Sequence, residues 1–128
     1  MDSARLKNIE LFASLSDEEL ERLAGVVGEA SIDEGEELVR AGTSPYQMFA
    51  IEEGTVEVRR GDEVLATIGP GEVVGERGIV KRGLRNASAV AKGPVRAIFL
   101  TQDQVRQLRR NHPELDERLR SILEERGE

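Results

Sequence analysis

The chain has 128 residues, 18 Lys+Arg against 25 Asp+Glu, no cysteine and a formal net charge of −7 at pH 7. That length holds one domain with a proper core and is too short for two, and the missing cysteines exclude disulfides, zinc–thiolate sites and cysteine-ligated clusters. The acidic balance argues against broad nucleic-acid or anionic-membrane binding. No apolar run approaches the roughly 20 residues of a membrane helix.

The opening stretch MDSARLKNIE lacks a signal-peptide core, so a cytoplasmic protein is expected. Residues 5–12, RLKNIELF, read as a short helix with Leu6, Ile9 and Leu11 or Phe12 on one side. Ser16 followed by Glu19 is a capping box, and Leu20, Leu23, Ala24 and Val27 then recur at helical spacing, with Gly28 as the expected stop. From there the period changes to two. Strands are expected at 29–32, 37–41, 46–52, 55–60, 63–68, 72–75, 86–92 and 95–100, separated by glycine-bearing turns. Thr55 to Arg59 alternates cleanly, and Arg60-Gly61-Asp62 suits a tight hairpin.

After Leu100 the helical period returns. Thr101 is placed to cap a helix with Val105 and Leu108 inward, ending near Asn111. His112, the only histidine, reads as a surface or capping residue rather than a metal ligand. Pro113 suits the first turn of a last helix with Leu115, Leu119, Ile122 and Leu123 on one face. The expected fold class is α+β, mainly β: an eight-stranded antiparallel jelly-roll β-barrel with N-terminal helices, a short helix between strands and two C-terminal helices. With aromatics at 3%, its core must rest on Val, Ile, Leu and Ala. One domain over 1–128 is expected, with helices in 1–27, the roll in 28–100 and helices in 101–128.

The chemistry concentrates in residues 75–90, GERGIVKRGLRNASAV. Gly75 and Gly78 bracket Glu76, so the backbone there can approach a ligand closely. Arg77 to Lys81 is expected to form one or two helical turns whose exposed N–H groups face an anion. Arg85 carries a planar fork suited to phosphate. From Arg77 to Arg96 lie six basic residues and no acid, a local anion site in an acidic chain.

This stretch resembles the phosphate-binding cassette of cyclic nucleotide-binding domains, as in cAMP receptor proteins and protein kinase A or G regulatory domains. The resemblance extends over nearly the whole chain, including LFASLSDEELERLA and the Gly35-Glu36 and Gly69–Glu72 turns. It implies that Glu76 takes the ribose 2′-hydroxyl and Arg85 the cyclic phosphate. Backbone at Gly75, Gly78, Asn86 and Ala87 would close round the sugar-phosphate, with Val74 and Arg77 beside it. The cassette departs from the family pattern at Gly78 (usually alanine), Val74 (usually phenylalanine), Leu84 (commonly proline) and Arg77 (usually apolar). Asn86 stands where cGMP-preferring members often carry threonine, which leaves cAMP and cGMP both open. The resemblance also implies a last helix that acts as a lid over the base and often as a dimer seam, which makes a homodimer through that helix one expectation and packing back on the roll the other.

Other motifs fail on spacing. Gly69 to Gly75 reads G-x-G-x-x-x-G with Pro70 inside and no βαβ unit around it. Ser88 has no histidine at a plausible spacing, and the pairs Glu52-Glu53 and Glu124-Glu125 are adjacent in sequence, as solvated carboxylates are. No enzyme, metal or cofactor is expected. The leading function is a cyclic nucleotide sensor that repositions its C-terminal helix, either free-standing or as part of a longer protein with an effector elsewhere. The alternatives are a roll that has lost its ligand and serves as a scaffold, and a cupin-type β-helix, for which the histidine cluster is missing.

Overall fold

The structure, a computed structural model, describes residues 1–39, 47–75 and 87–125. Eight strands among them follow the expected segments closely: β1 (Gly28–Ile32), β2 (Glu37–Val39), β3 (Gln47–Glu53), β4 (Val56–Arg60), β5 (Glu63–Ile68), β6 (Val73–Val74), β7 (Ser88–Ala91) and β8 (Val95–Thr101). They form two four-stranded sheets, ordered β1-β8-β3-β6 and β2-β7-β4-β5. Each of these pairings is antiparallel. The non-sequential neighbours make this a roll rather than a meander. Arg60 pairs with Glu63 across a two-residue turn in which Gly61 has φ 62°, as the Arg-Gly-Asp signal predicts.

The pleat explains how the sheets stack. On β3, Met48 and Ala50 belong to one apolar cluster while Phe49 and Ile51 belong to another, and on β8 the same split separates Ile98 and Leu100 from Val95 and Ala97. Successive side chains point to opposite faces of a strand, so edge strand β1 leaves Glu29 and Ser31 exposed while β3 and β8 give apolar side chains to both faces of the first sheet. Its inner face meets Val39, Val56, Ile68, Ala89 and Ala91 of the second sheet. Its outer face is covered by helices. The second sheet has one face toward solvent, and β7 alternates half-buried Ser88 and Val90 with buried Ala89 and Ala91.

The helical layer starts with two 3₁₀ turns, Ser3–Asn8 and Glu10–Phe12, where the sequence suggests a single helix. Ile9 is extended (φ −91°, ψ 118°) and separates them. Leu6, Ile9 and Phe12 recur every three residues, the pitch of a 3₁₀ helix, and all three are essentially fully buried. Helix α1 (Asp17–Ala24) carries the predicted Ser16–Glu19 capping box, but it ends at Gly25 and not at Gly28. Gly28 is instead the first residue of β1, opposite Phe99, where a Cβ would lie 2.1 Å from the Phe99 ring. The glycine there makes room for an aromatic ring; it does not stop a helix.

Helix α2 (Gln102–Asn111) begins at Thr101, whose hydroxyl accepts from the Gln104 N–H while Gln104 accepts from the Thr101 N–H. Helix α3 (Pro113–Glu125) turns Leu115, Leu119 and Leu123 inward. Leu115 and Leu119 are 0% exposed, packed with the 3₁₀ turns and α1 on the outer face of the first sheet. The apolar stripe of the last helix is therefore occupied within the chain.

Candidate functional site

β6 is the edge of the first sheet, paired to β3 through Phe49–Val74 and Ala50–Val73. β7 lies in the second sheet between β2 and β4. The segment that joins them leaves one sheet after Gly75 and enters the other after Ala87. Val74 is 4% exposed and faces Val39 and Phe49 in the cluster between the sheets.

Gly75 has φ 91°, a conformation that favours glycine. A Cβ built there would stand 3.0 Å from the Gln47 carbonyl oxygen and 3.5 Å from Val39 Cγ2. The main chain at the start of the segment thus lies close against β3, and a side chain there would crowd the Gln47 carbonyl. Ala87, at the other end, is also buried. Of the residues singled out in the sequence, Val74, Gly75 and Ala87 are placed in this way. Glu76, Arg77, Gly78, Arg85 and Asn86, with the expected short helix at 77–81, lie outside the described residues.

The charged groups that are described sit elsewhere. Arg96 falls between Val95 and Ala97, which face the second sheet, so its own side chain is on the helix-covered face. There it lines a groove of about 600 Å³ with Arg5, Asn8, Glu52 and Glu53. Arg5 donates Nε to Glu52 Oε2 at 2.8 Å and lies 2.7 Å from Glu29 Oε1, so it ties the first 3₁₀ turn to β3 and β1. The hydrogen bonds it donates to Glu52, then to Glu29, hold the guanidinium still more firmly protonated than usual. Arg96 therefore belongs to this ionic surface and is separated from the inter-sheet face by the first sheet. Among the described residues no group of three or more His, Asp or Glu could hold a metal ion. None of the described helices is long and apolar enough to cross a membrane.

Two four-stranded antiparallel sheets rolled on each other, with helices packed on the outer face of the first, define a β-roll. Residues 29–112 match the family model of the cyclic nucleotide-binding domain, and the chain belongs to that family. It is 32% identical over 94 residues to the cAMP-dependent protein kinase type II regulatory subunit of Drosophila melanogaster, covering 70% of this chain and 25% of that protein. The chain thus spans about a quarter of the length of that relative. The crystal structure of the N-terminal domain of a transcriptional regulator from Streptomyces coelicolor A3(2) superposes with a TM-score of 0.73 at 26% identity, over 98% of this chain and 92% of that one. The regulatory subunit of a cAMP-independent protein kinase A from Trypanosoma brucei shares the fold, with a TM-score of 0.84 at 23% identity over 94% of this chain and 45% of that one. The chain is a cyclic nucleotide-binding domain like those of protein kinase A regulatory subunits.

Proposed function

We propose that this chain is a single sensor domain that binds cAMP or cGMP through residues 75–87 and signals through α3. Glu76 accepts from the ribose 2′-hydroxyl, Arg85 neutralises the cyclic phosphate, and backbone at Gly75, Gly78, Asn86 and Ala87 encloses the sugar-phosphate beside Val74 and Arg77. The observation that carries the reading is Gly75. The Gly-Glu motif begins at a residue whose φ of 91° and 3.0 Å approach to the Gln47 carbonyl disfavour any side chain, which fits a backbone shaped to close on a small anion.

Energetics restrict how α3 signals. Exposing Leu115, Leu119 and Leu123 together would cost about 1.5–3 kcal/mol for each side chain. A ligand coupling of about 1–3 kcal/mol cannot offset that sum. We therefore infer a swing about the α2–α3 corner that keeps the stripe seated, rather than release of the helix to a partner. This favours packing on the roll over a dimer seam built from the same leucines. A ligand shifts such an equilibrium only by its difference in affinity for the two arrangements. The effector would lie in another domain or chain.

A second reading is favoured by one observation: a regulatory subunit named as cAMP-independent has the same fold at a TM-score of 0.84. On that reading the roll takes a different ligand or none.

Calorimetry on Arg85→Leu and Arg82→Leu separates the two. Truncating one side of a buried charge pair costs about 2–5 kcal/mol, or roughly 30- to several thousand-fold in cyclic nucleotide affinity. Arg82→Leu should cost about 0–1 kcal/mol, the scale of a screened surface charge. Glu76→Gln should fall between them, since the amide still offers an acceptor. Equal losses for Arg85 and Arg82 would mean a diffuse electrostatic patch and would sink the cassette assignment.

A further inference from the structure

The corner between α2 and α3 is one residue, His112. Its backbone serves both helices: the N–H donates to the Leu108 carbonyl at 2.9 Å, and the carbonyl accepts from the Asp116 N–H at 3.1 Å. An ion pair between Arg109 and Asp116 braces the corner from within. The imidazole reaches out to a third helix, with Nδ1 2.9 Å from Oε2 of Glu19 on α1. Glu19 Oε1 meanwhile accepts from the Ser16 N–H at 2.9 Å. One carboxylate thus closes the α1 capping box with one oxygen and holds the α2–α3 corner with the other.

Between α1 and α2 the packing is incomplete. A groove of about 480 Å³ opens there, lined by Leu23, Val26 and Leu108 with Glu19 and His112 at its polar edge. The other polar strap across it is Gln104 Nε2 donating to the Val26 carbonyl at 2.9 Å, near the start of α2. Arg22 from α1, Arg109 from α2 and Asp116 from α3 are further charged groups around the corner. The Glu19 and His112 side chains are 27% and 24% exposed, whereas Leu115 and Leu119 are fully buried. Water can take over the polar bond when it opens, but nothing replaces the leucine contacts so cheaply.

We propose that Glu19–His112 is a releasable latch that sets the angle of the α2–α3 corner against the N-terminal helices. Any displacement of the corner away from α1 must break it, while the buried leucine stripe of α3 stays seated. The latch stands whether or not a cyclic nucleotide binds.

Amide hydrogen exchange on the nucleotide-free protein tests it with Glu19→Gln, His112→Ala and the double variant. Glutamine keeps an acceptor for the Ser16 N–H and removes the charge facing His112, so the cap survives while the latch is lost. Exchange across 113–125 should speed up about fivefold in each single variant, the scale of a partly exposed pair. The double variant should be no faster than either single, because both remove the same interaction, and β8 should exchange as in the parent. Unchanged exchange in 113–125, effects that add in the double variant, or equal acceleration in β8 would each overturn the proposal.

Discussion

Replacing Gly75 by alanine tests how tightly the β6–β7 segment is tied to the sheet. Two penalties are superimposed there. An L residue held at φ 91° carries backbone strain, of order 1–3 kcal/mol. The new Cβ also meets the Gln47 carbonyl oxygen at 3.0 Å and Val39 Cγ2 at 3.5 Å. Overpacking of that kind adds about 1–3 kcal/mol where the neighbour is main chain in a paired strand. Gly35 separates the two, since it has φ 86° and a Cβ added there would have nothing within 4 Å. Gly35→Ala should therefore lose the strain alone, and Gly75→Ala roughly 1–3 kcal/mol more. Urea unfolding of the two variants in parallel, with unchanged slopes, reads the difference. Equal losses would refute the close approach at Gly75 and remove the geometric support for a closed cassette.

Other outcomes follow from the same structure. Leu119→Ala should cost about 2–5 kcal/mol in urea unfolding because the side chain is 0% exposed, while Leu65→Ala, at 38% exposure on the bulged β5, should stay within about 0.5 kcal/mol. A loss at Leu119 below that of Leu65 would mean the last helix is not part of the core. The hydrogen bonds from the Ser16 N–H and hydroxyl hold the Glu19 carboxyl below its ordinary value of 4.5. A group depressed in the folded state stabilises above its unfolded value and loses that contribution as pH falls through the folded one. Glu19→Gln should accordingly flatten the acid limb below about pH 4.5 in melting curves recorded from pH 6 to 2, and an acid limb identical to the parent's would contradict the bonding.

How much of this was legible in the sequence depends on the distance over which each feature is determined. Strands and caps are local: apolar and alternating runs between glycine-bearing turns locate the eight described strands to within a few residues, and Ser16 and Thr101 cap where their spacing predicts. The Thr101–Gln104 box was itself readable, because Gln stands three residues after Thr. Gly28 was misleading because its reason is a ring on β8, far along the chain. The 3₁₀ turns were hidden for a different reason, since Leu6, Ile9 and Phe12 suit either helix type until the packing surface is known. Long-range polar ties have no local signature: Arg5 meets Glu52 across 47 residues, and neither residue stands out in its own neighbourhood. For the site, the motif proposes the segment, and the structure supplies the geometry of its two ends at Val74–Gly75 and Ala87. That geometry explains why the motif begins with glycine.

The central claim, that this roll recognises a cyclic nucleotide, is tested most directly by thermal unfolding with cAMP, cGMP and a linear nucleoside monophosphate. A ligand at about 100 times its dissociation constant adds about 2.7 kcal/mol, which for a domain of this size raises the midpoint by about 10 °C. A shift of that order with cAMP or cGMP and none with the linear nucleotide is the predicted result. No shift with either cyclic nucleotide at millimolar concentration, or an equal shift with the linear one, would contradict it.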